Sequence, residues 1–92
     1  MTFSVEVAGI RRDAAMTRFT VRVDGVSFDV GVSDIDAEQL APGIEPKELV
    51  RESFCFLLER EPPESILSRF DLPVIERYFP GYGSEIRRRL KR

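Results

Sequence analysis

Apolar and polar residues alternate three times in the first third of the chain. Phe3, Val5 and Val7 alternate with Ser4, Glu6 and Ala8, which predicts a strand with one buried face ending near Gly9. Residues 11–15 read as a turn or loop. Phe19, Val21 and Val23 then alternate with Thr20 and Arg22. After Asp24-Gly25, the residues Val26, Phe28, Val30 and Val32 alternate with Ser27, Asp29, Gly31 and Ser33. Asp-Gly between two such runs predicts a hairpin, because a type I′ turn needs positive φ at both central positions. A two-residue turn sets Val23 opposite Val26, Val21 opposite Phe28 and Phe19 opposite Val30, so the apolar side chains share one face. The other face sets Thr20 opposite Asp29, with Arg18 and Arg22 diagonal to it. That is a solvated surface with weak charge pairing, without the aromatic side chains of a single-strand nucleic-acid platform.

The period changes after Ser33. Residues 34–41 suit one or two helical turns, with Asp36 and Gln39 spaced as a capping pair and Pro42-Gly43 as the break. Residues 46–60, PKELVRESFCFLLER, predict the one long helix around which the rest is arranged. Pro46 suits its first position, and Pro62-Pro63 end it. Glu45 and Glu48 meet the positive end of the helix dipole and Arg60 the negative end. At about 100° per residue, Leu49, Val50, Ser53, Phe54, Phe56, Leu57 and Leu58 spread over an arc of about 200°. That is twice the ~100° stripe of an ordinary surface helix. One sheet covers only part of it. Leu49, Phe56 and Leu58 on its flanks, with Phe79, are therefore candidate interface residues, unless the Phe- and Leu-rich C-terminal third covers the flanks instead.

Further on, residues 63–67 suit a short helical turn. Asp71 is placed to cap a helix over 72–79, and Ser84 to cap a last helix with Ile86 and Leu90 one turn apart. The expected fold is α+β: a three-stranded antiparallel β-meander followed by one long helix and shorter C-terminal helices. Residues 1–83 form a single domain, and residues 84–92 a basic helical end or a frayed tail.

The pattern Leu57-Leu58-x-Arg60-Glu61-Pro62, Ser65-Ile66-Leu67, Phe70-Asp71-Leu72, Val74-Ile75 and Tyr78-Phe79-Pro80 resembles a group of small bacterial proteins of unassigned function. The resemblance spans 49–86, somewhat under half the chain. It implies a fold, since prolines and caps fall at helix boundaries, and it implies no reaction. The hairpin has a looser resemblance to small α+β antitoxin-type domains.

Composition bounds the rest. Ninety-two residues, 42% hydrophobic and 33% charged, make one globular domain with a modest core. No apolar run approaches the ~20 residues of a membrane span. The first residues lack the basic and apolar regions of a signal peptide. A single cysteine allows no internal disulfide, and the expected compartment is the cytoplasm. The net charge of −2 is unevenly spread. Residues 34–64 carry nine acids against Lys47, Arg51 and Arg60. Residues 84–92 carry Arg87, Arg88, Arg89, Lys91 and Arg92 against Glu85. Those five cations are candidate phosphate contacts, which would make binding salt-dependent. They are equally placed to cap a helix end or to lie against the acidic segment.

The chain contains no histidine, which removes Ser-His-Asp and Cys-His catalysis and His-ligated metals. Cys55, in mid-helix, lacks an activating base. Asp34-x-Asp36-x-Glu38 has the spacing of a calcium loop, but Gln39 stands where the sharp turn needs glycine. The pairs Glu48–Glu52 and Glu52–Glu59 lie on the solvent side, not in the concave, partly dry site that splits two carboxylate pKa values. Gly81-x-Gly83 lacks the strand and the third glycine of a phosphate loop. The sequence thus points to no catalytic residue, cofactor or metal. It points to a protein-interaction or assembly module, with a protein partner or a second copy (a homodimer) as its target. The alternative is an antitoxin-like, nucleic-acid-linked regulator acting through the basic tail or through Arg11, Arg12, Arg18 and Arg22.

Overall fold

A computed structural model describes residues 3–91. The Asp24-Gly25 turn has φ of 48° and 86°, both positive as a type I′ turn requires. It joins β2 (Met16–Val23) to β3 (Val26–Ser33) in the expected register, with Val23 opposite Val26, Val21 opposite Phe28 and Phe19 opposite Val30. β1 (Val5–Asp13) pairs antiparallel with β2. It does not end near Gly9. A bulge between Val7 and Gly9 absorbs one residue, and the strand continues through the segment expected as loop, to a turn at Ala14-Ala15. The bulge changes the parity of the strand. Val5 and Val7 oppose Val23 and Val21, and beyond the bulge it is Ile10 that opposes Phe19.

The sheet is mixed rather than a pure three-stranded meander. A three-residue β4 (Arg69–Asp71) lies parallel to β3, with Phe70 opposite Val30, and the strand order is β1-β2-β3-β4. Asp29 donates its N–H to the Ser68 carbonyl and Leu72 to that of Gly31, which closes the short ladder. Phe70 is drawn there by the core, where its ring lies 6.0 Å from that of Phe54.

α1 (Asp34–Leu40) is capped by the Ser33 hydroxyl, which accepts from the Asp36 N–H. This replaces the capping pair expected from Asp36 and Gln39. α2 (Pro46–Leu58) is a 13-residue helix of ordinary length, not the one long helix expected, and it stops short of Arg60. The Arg60 guanidinium instead turns back to the Phe56 carbonyl, 2.9 Å away, satisfying an acceptor that the helix end leaves open. A 3-10 turn (Pro63–Ser65) precedes β4. α3 (Val74–Tyr78) and α4 (Tyr82–Leu90) complete the chain. Asp71 lies in β4 and caps no helix; the residue before α3 is Pro73. α4 starts at Tyr82 rather than being capped by Ser84. Its first N–H groups are served from α3, where the Glu76 carboxylate accepts from Gly81 and Gly83.

α2 lies on the apolar face of the sheet. Phe19, Val21, Phe28, Val30 and Val32 are buried with Val50, Phe54 and Leu57. α4 covers the flank of α2. Its Tyr82, Ile86 and Leu90 are buried, and the Phe56 ring meets those of Tyr82 and Phe79 edge-on at 5.3 and 6.0 Å. The Arg60 guanidinium sits 3.7 Å from the centre of the Phe56 ring. Leu49 and Phe56 are thereby 0% and 2% exposed. Burying each such side chain is worth about 1.5–3 kcal/mol, which is why α4 docks where it does. The wide apolar arc is closed by the chain itself. The boundary expected at Gly83 falls inside α4, one residue beyond buried Tyr82. Among the described residues, no helix is long and apolar enough to cross a membrane.

Candidate interaction surface

The four candidate interface residues divide. Leu49 and Phe56 are interior, and Leu58 is half-buried. Phe79 is half-buried as well, and it lines an open apolar groove.

The groove is made by the way the chain leaves α2. Pro62 and Pro63 forbid further helix, so the backbone takes one 3-10 turn and crosses back to the sheet at β4. That path lays Ile66 and Leu67 across from Val74, Tyr78 and Phe79, over the buried side chains of Leu57, Phe70 and Ile75. The volume is about 240 Å³. Drug-sized ligand sites run to ~300–1,000 Å³, so this one suits one or two side chains rather than a free metabolite. Its rim is open: Leu67 is 49% and Tyr78 65% exposed. Glu61 and Ser65 are the polar members of the lining. The half-buried Glu61 carboxylate has no ion pair or hydrogen bond among the described residues.

The basic end is engaged within the chain. Arg89 bonds Glu59 at 2.6 Å and Glu85 at 2.8 Å, and approaches Glu52 at 3.4 Å. Its guanidinium is held more firmly protonated by the bonds from Glu59 and Glu85. Arg88 bonds Glu85 at 2.6 Å, and Arg88 and Arg89 together hold the Glu85 carboxyl down to about 2. Arg87 reaches the Gln39 carbonyl at 3.4 Å. Lys91 is exposed, and Arg92 lies outside the described residues. Three of the five cations are thus turned toward acceptors of their own chain rather than aligned for a phosphate backbone.

The polar sheet face carries a second network. Arg18 bonds Asp29 at 2.8 Å and Asp71 at 3.1 Å, and Arg11 bonds Asp29 at 3.2 Å. Gly31 lies beneath it, where a Cβ would run into the Asp71 carboxylate and the Arg18 guanidinium. On the helix side of the sheet, Arg12 holds Asp34 through two bonds, at 2.7 and 2.6 Å. These pairs lower the carboxyls of Asp29 and Asp34 from their ordinary range.

Asp34, Asp36 and Glu38 stand on α1 rather than in a loop. Among the described residues, no group of three or more acids and cysteines comes together to hold a metal. The Cys55 thiol is half-buried, and burial followed by the nearby Glu52 charge pushes its pKa up, away from the thiolate that a nucleophile needs.

Of the four residues expected at an interface, Phe79 alone lines the groove; Glu61, Leu67 and Tyr78 were not expected to share a surface with it. The available signal was Leu67, a large apolar residue between helices rather than on an apolar stripe. Compared with protein-family models, curated proteins and solved structures, the chain matches none.

Proposed function

We propose that the chain is a non-catalytic protein-interaction module. Its groove takes one or two aliphatic or aromatic side chains of a partner protein, next to a cationic residue that meets Glu61. The observation that carries this reading is an open apolar slot whose one carboxylate, Glu61, has no partner of its own among the described residues. Apolar contact supplies the attraction, at about 1.5–3 kcal/mol per side chain removed from water. A half-buried carboxylate adds discrimination, because binding that leaves it desolvated and unpaired is penalised. All ten residues lining the groove belong to the pattern on which the resemblance to small bacterial proteins rests, which supports treating the groove as one unit. The arginines of α4 are occupied by Glu52, Glu59 and Glu85, which is why a protein partner is preferred over nucleic acid.

The test is affinity capture from cells that make the protein, using the wild-type chain and the Leu67→Glu/Tyr78→Glu variant, followed by mass spectrometry. Both substitutions fall on exposed positions and leave the core intact. A protein retained by the wild type and lost from the variant is the expected result. The same retained set on both chains counts against the groove.

A further inference from the structure

We infer that β1 is a self-pairing edge, and that the partner it fits is a second copy of this chain. The sheet ends on one side at β4, only three residues long, and on the other at β1, which among the described residues is hydrogen-bonded on one side only. β1 is nine residues long, a span of about 30 Å, with neither proline nor lysine to block pairing. Ile10 lies on the helix side of the sheet, opposite buried Phe19, yet it is 57% exposed. It is an apolar side chain on the core face of an edge strand, beyond which no further strand pairs among the described residues.

The bulge decides how two such edges fit. In antiparallel pairing, directly opposed residues lie on the same face. Before the bulge the helix-side residues are Val5 and Val7; after it they are Ile10 and Arg12. Two copies keep their faces matched only if a residue before the bulge meets one after it with opposite parity. With the dyad between Ala8 and Gly9, Val7 meets Ile10 of the second copy on the core side. On the polar side Glu6 meets Arg11, and Ala8 and Gly9 sit at the centre, where small residues let the backbones approach. Moving the dyad by one residue toward the C-terminus sets Gly9 against Ile10, which lie on opposite faces, and Glu6 against Asp13, like charge on like. The chosen register covers the exposed isoleucine and pairs an acid with a base, twice per dimer by symmetry. The result is one continuous sheet across two chains, with the helices of both on the same side. This edge lies at the opposite side of the sheet from the groove, so the inference stands or falls independently of the proposed partner site.

Sedimentation equilibrium on the full chain tests it, with Glu6→Arg, Arg11→Glu and the double variant, and circular dichroism to follow folding. The wild type is expected to dimerise. Because each substitution acts at two symmetric contacts, each single variant is expected to weaken association about tenfold, and the double variant to recover most of that loss. Within one chain the swapped residues still face Arg22 and Asp29, so recovery has no intrachain explanation. A wild type that stays monomeric up to millimolar concentration overturns the inference. So does a dimer indifferent to both single changes, or a double variant as weak as the singles.

Discussion

The hydroxyls of Ser53 on α2 and Tyr82 on α4 lie 2.6 Å apart in the interior. Ser53 also donates to the Leu49 carbonyl at 2.7 Å. The Ser53–Tyr82 bond fixes where α4 sits along α2, and so decides that Phe56 and Leu49 are covered from within. The two hydroxyls are not equivalent. Tyr82→Phe leaves Ser53 bonded to Leu49 and is expected to cost about 1 kcal/mol. Ser53→Ala strands a buried phenol and is expected to cost more, about 1–3 kcal/mol. Urea denaturation of the two variants checks the order.

Stability should fall in acid over a defined window. The Glu85 carboxyl, held by Arg88 and Arg89, is down to about 2 from an ordinary 4.5, and Glu59, Glu76, Asp29 and Asp34 are lowered as well. In the unfolded chain these groups take up protons at higher pH than in the fold. Their contribution is therefore complete above the unfolded value and is lost as pH falls from about 4.5 toward 2. Denaturation midpoints along a pH series should show that decline, and Glu85→Gln should make it shallower. A profile with the same slope in the variant would show that Glu85 does not contribute.

Two glycines, Gly25 in the β2–β3 turn and Gly9 in β1, should respond to different degrees. Gly25 has φ of 86°, so Gly25→Ala is expected to cost about 1 kcal/mol or more through backbone strain. At Gly9 an added Cβ meets Thr20 at 3.5 Å, an ordinary contact, and Gly9→Ala should be tolerated within about 0.5 kcal/mol. Thermal denaturation separates the two.

The start of α4 depends on a side chain from another helix. Glu76→Ala removes the acceptor for Gly81 and Gly83 and is expected to cost about 1 kcal/mol, the usual worth of a helix cap. Amide hydrogen exchange at residues 81–85 should accelerate while that of α2 changes little.

The hairpin was legible because Asp24-Gly25 imposes its own backbone angles and thereby the pairing of Val21 with Phe28. The remainder of the sheet was not, for physical reasons. The bulge at Gly9 replaces period two by a shift of one, so Ile10 and Arg12 break the alternation that marks a strand. β4 is three residues, Arg69–Asp71, too short for any period; it exists because Phe70 is wanted under Phe54. The true cap of α4, Glu76, acts from a neighbouring helix, which no local rule sees. The width of the α2 arc was readable and its consequence was not, because the spacing of Leu49 and Phe56 says that cover is needed without saying whose. The groove combines the end of α2, a turn and α3, so its members acquire a common meaning only once Pro62 and Pro63 have turned the chain.

The central claim is that the chain seals the arc of α2 with its own α4 and presents its apolar surface at the groove instead. Its two tyrosines report on these two places, since Tyr82 is 1% exposed and Tyr78 65%. Burial also raises the pKa of the Tyr82 phenol, so little of the phenolate that nitration attacks is present there. Nitration with tetranitromethane, read by peptide mass spectrometry on the folded protein, is the most direct measurement. The account predicts modification confined to Tyr78. Nitration of Tyr82 as fast as Tyr78, with the fold intact by circular dichroism, would contradict it.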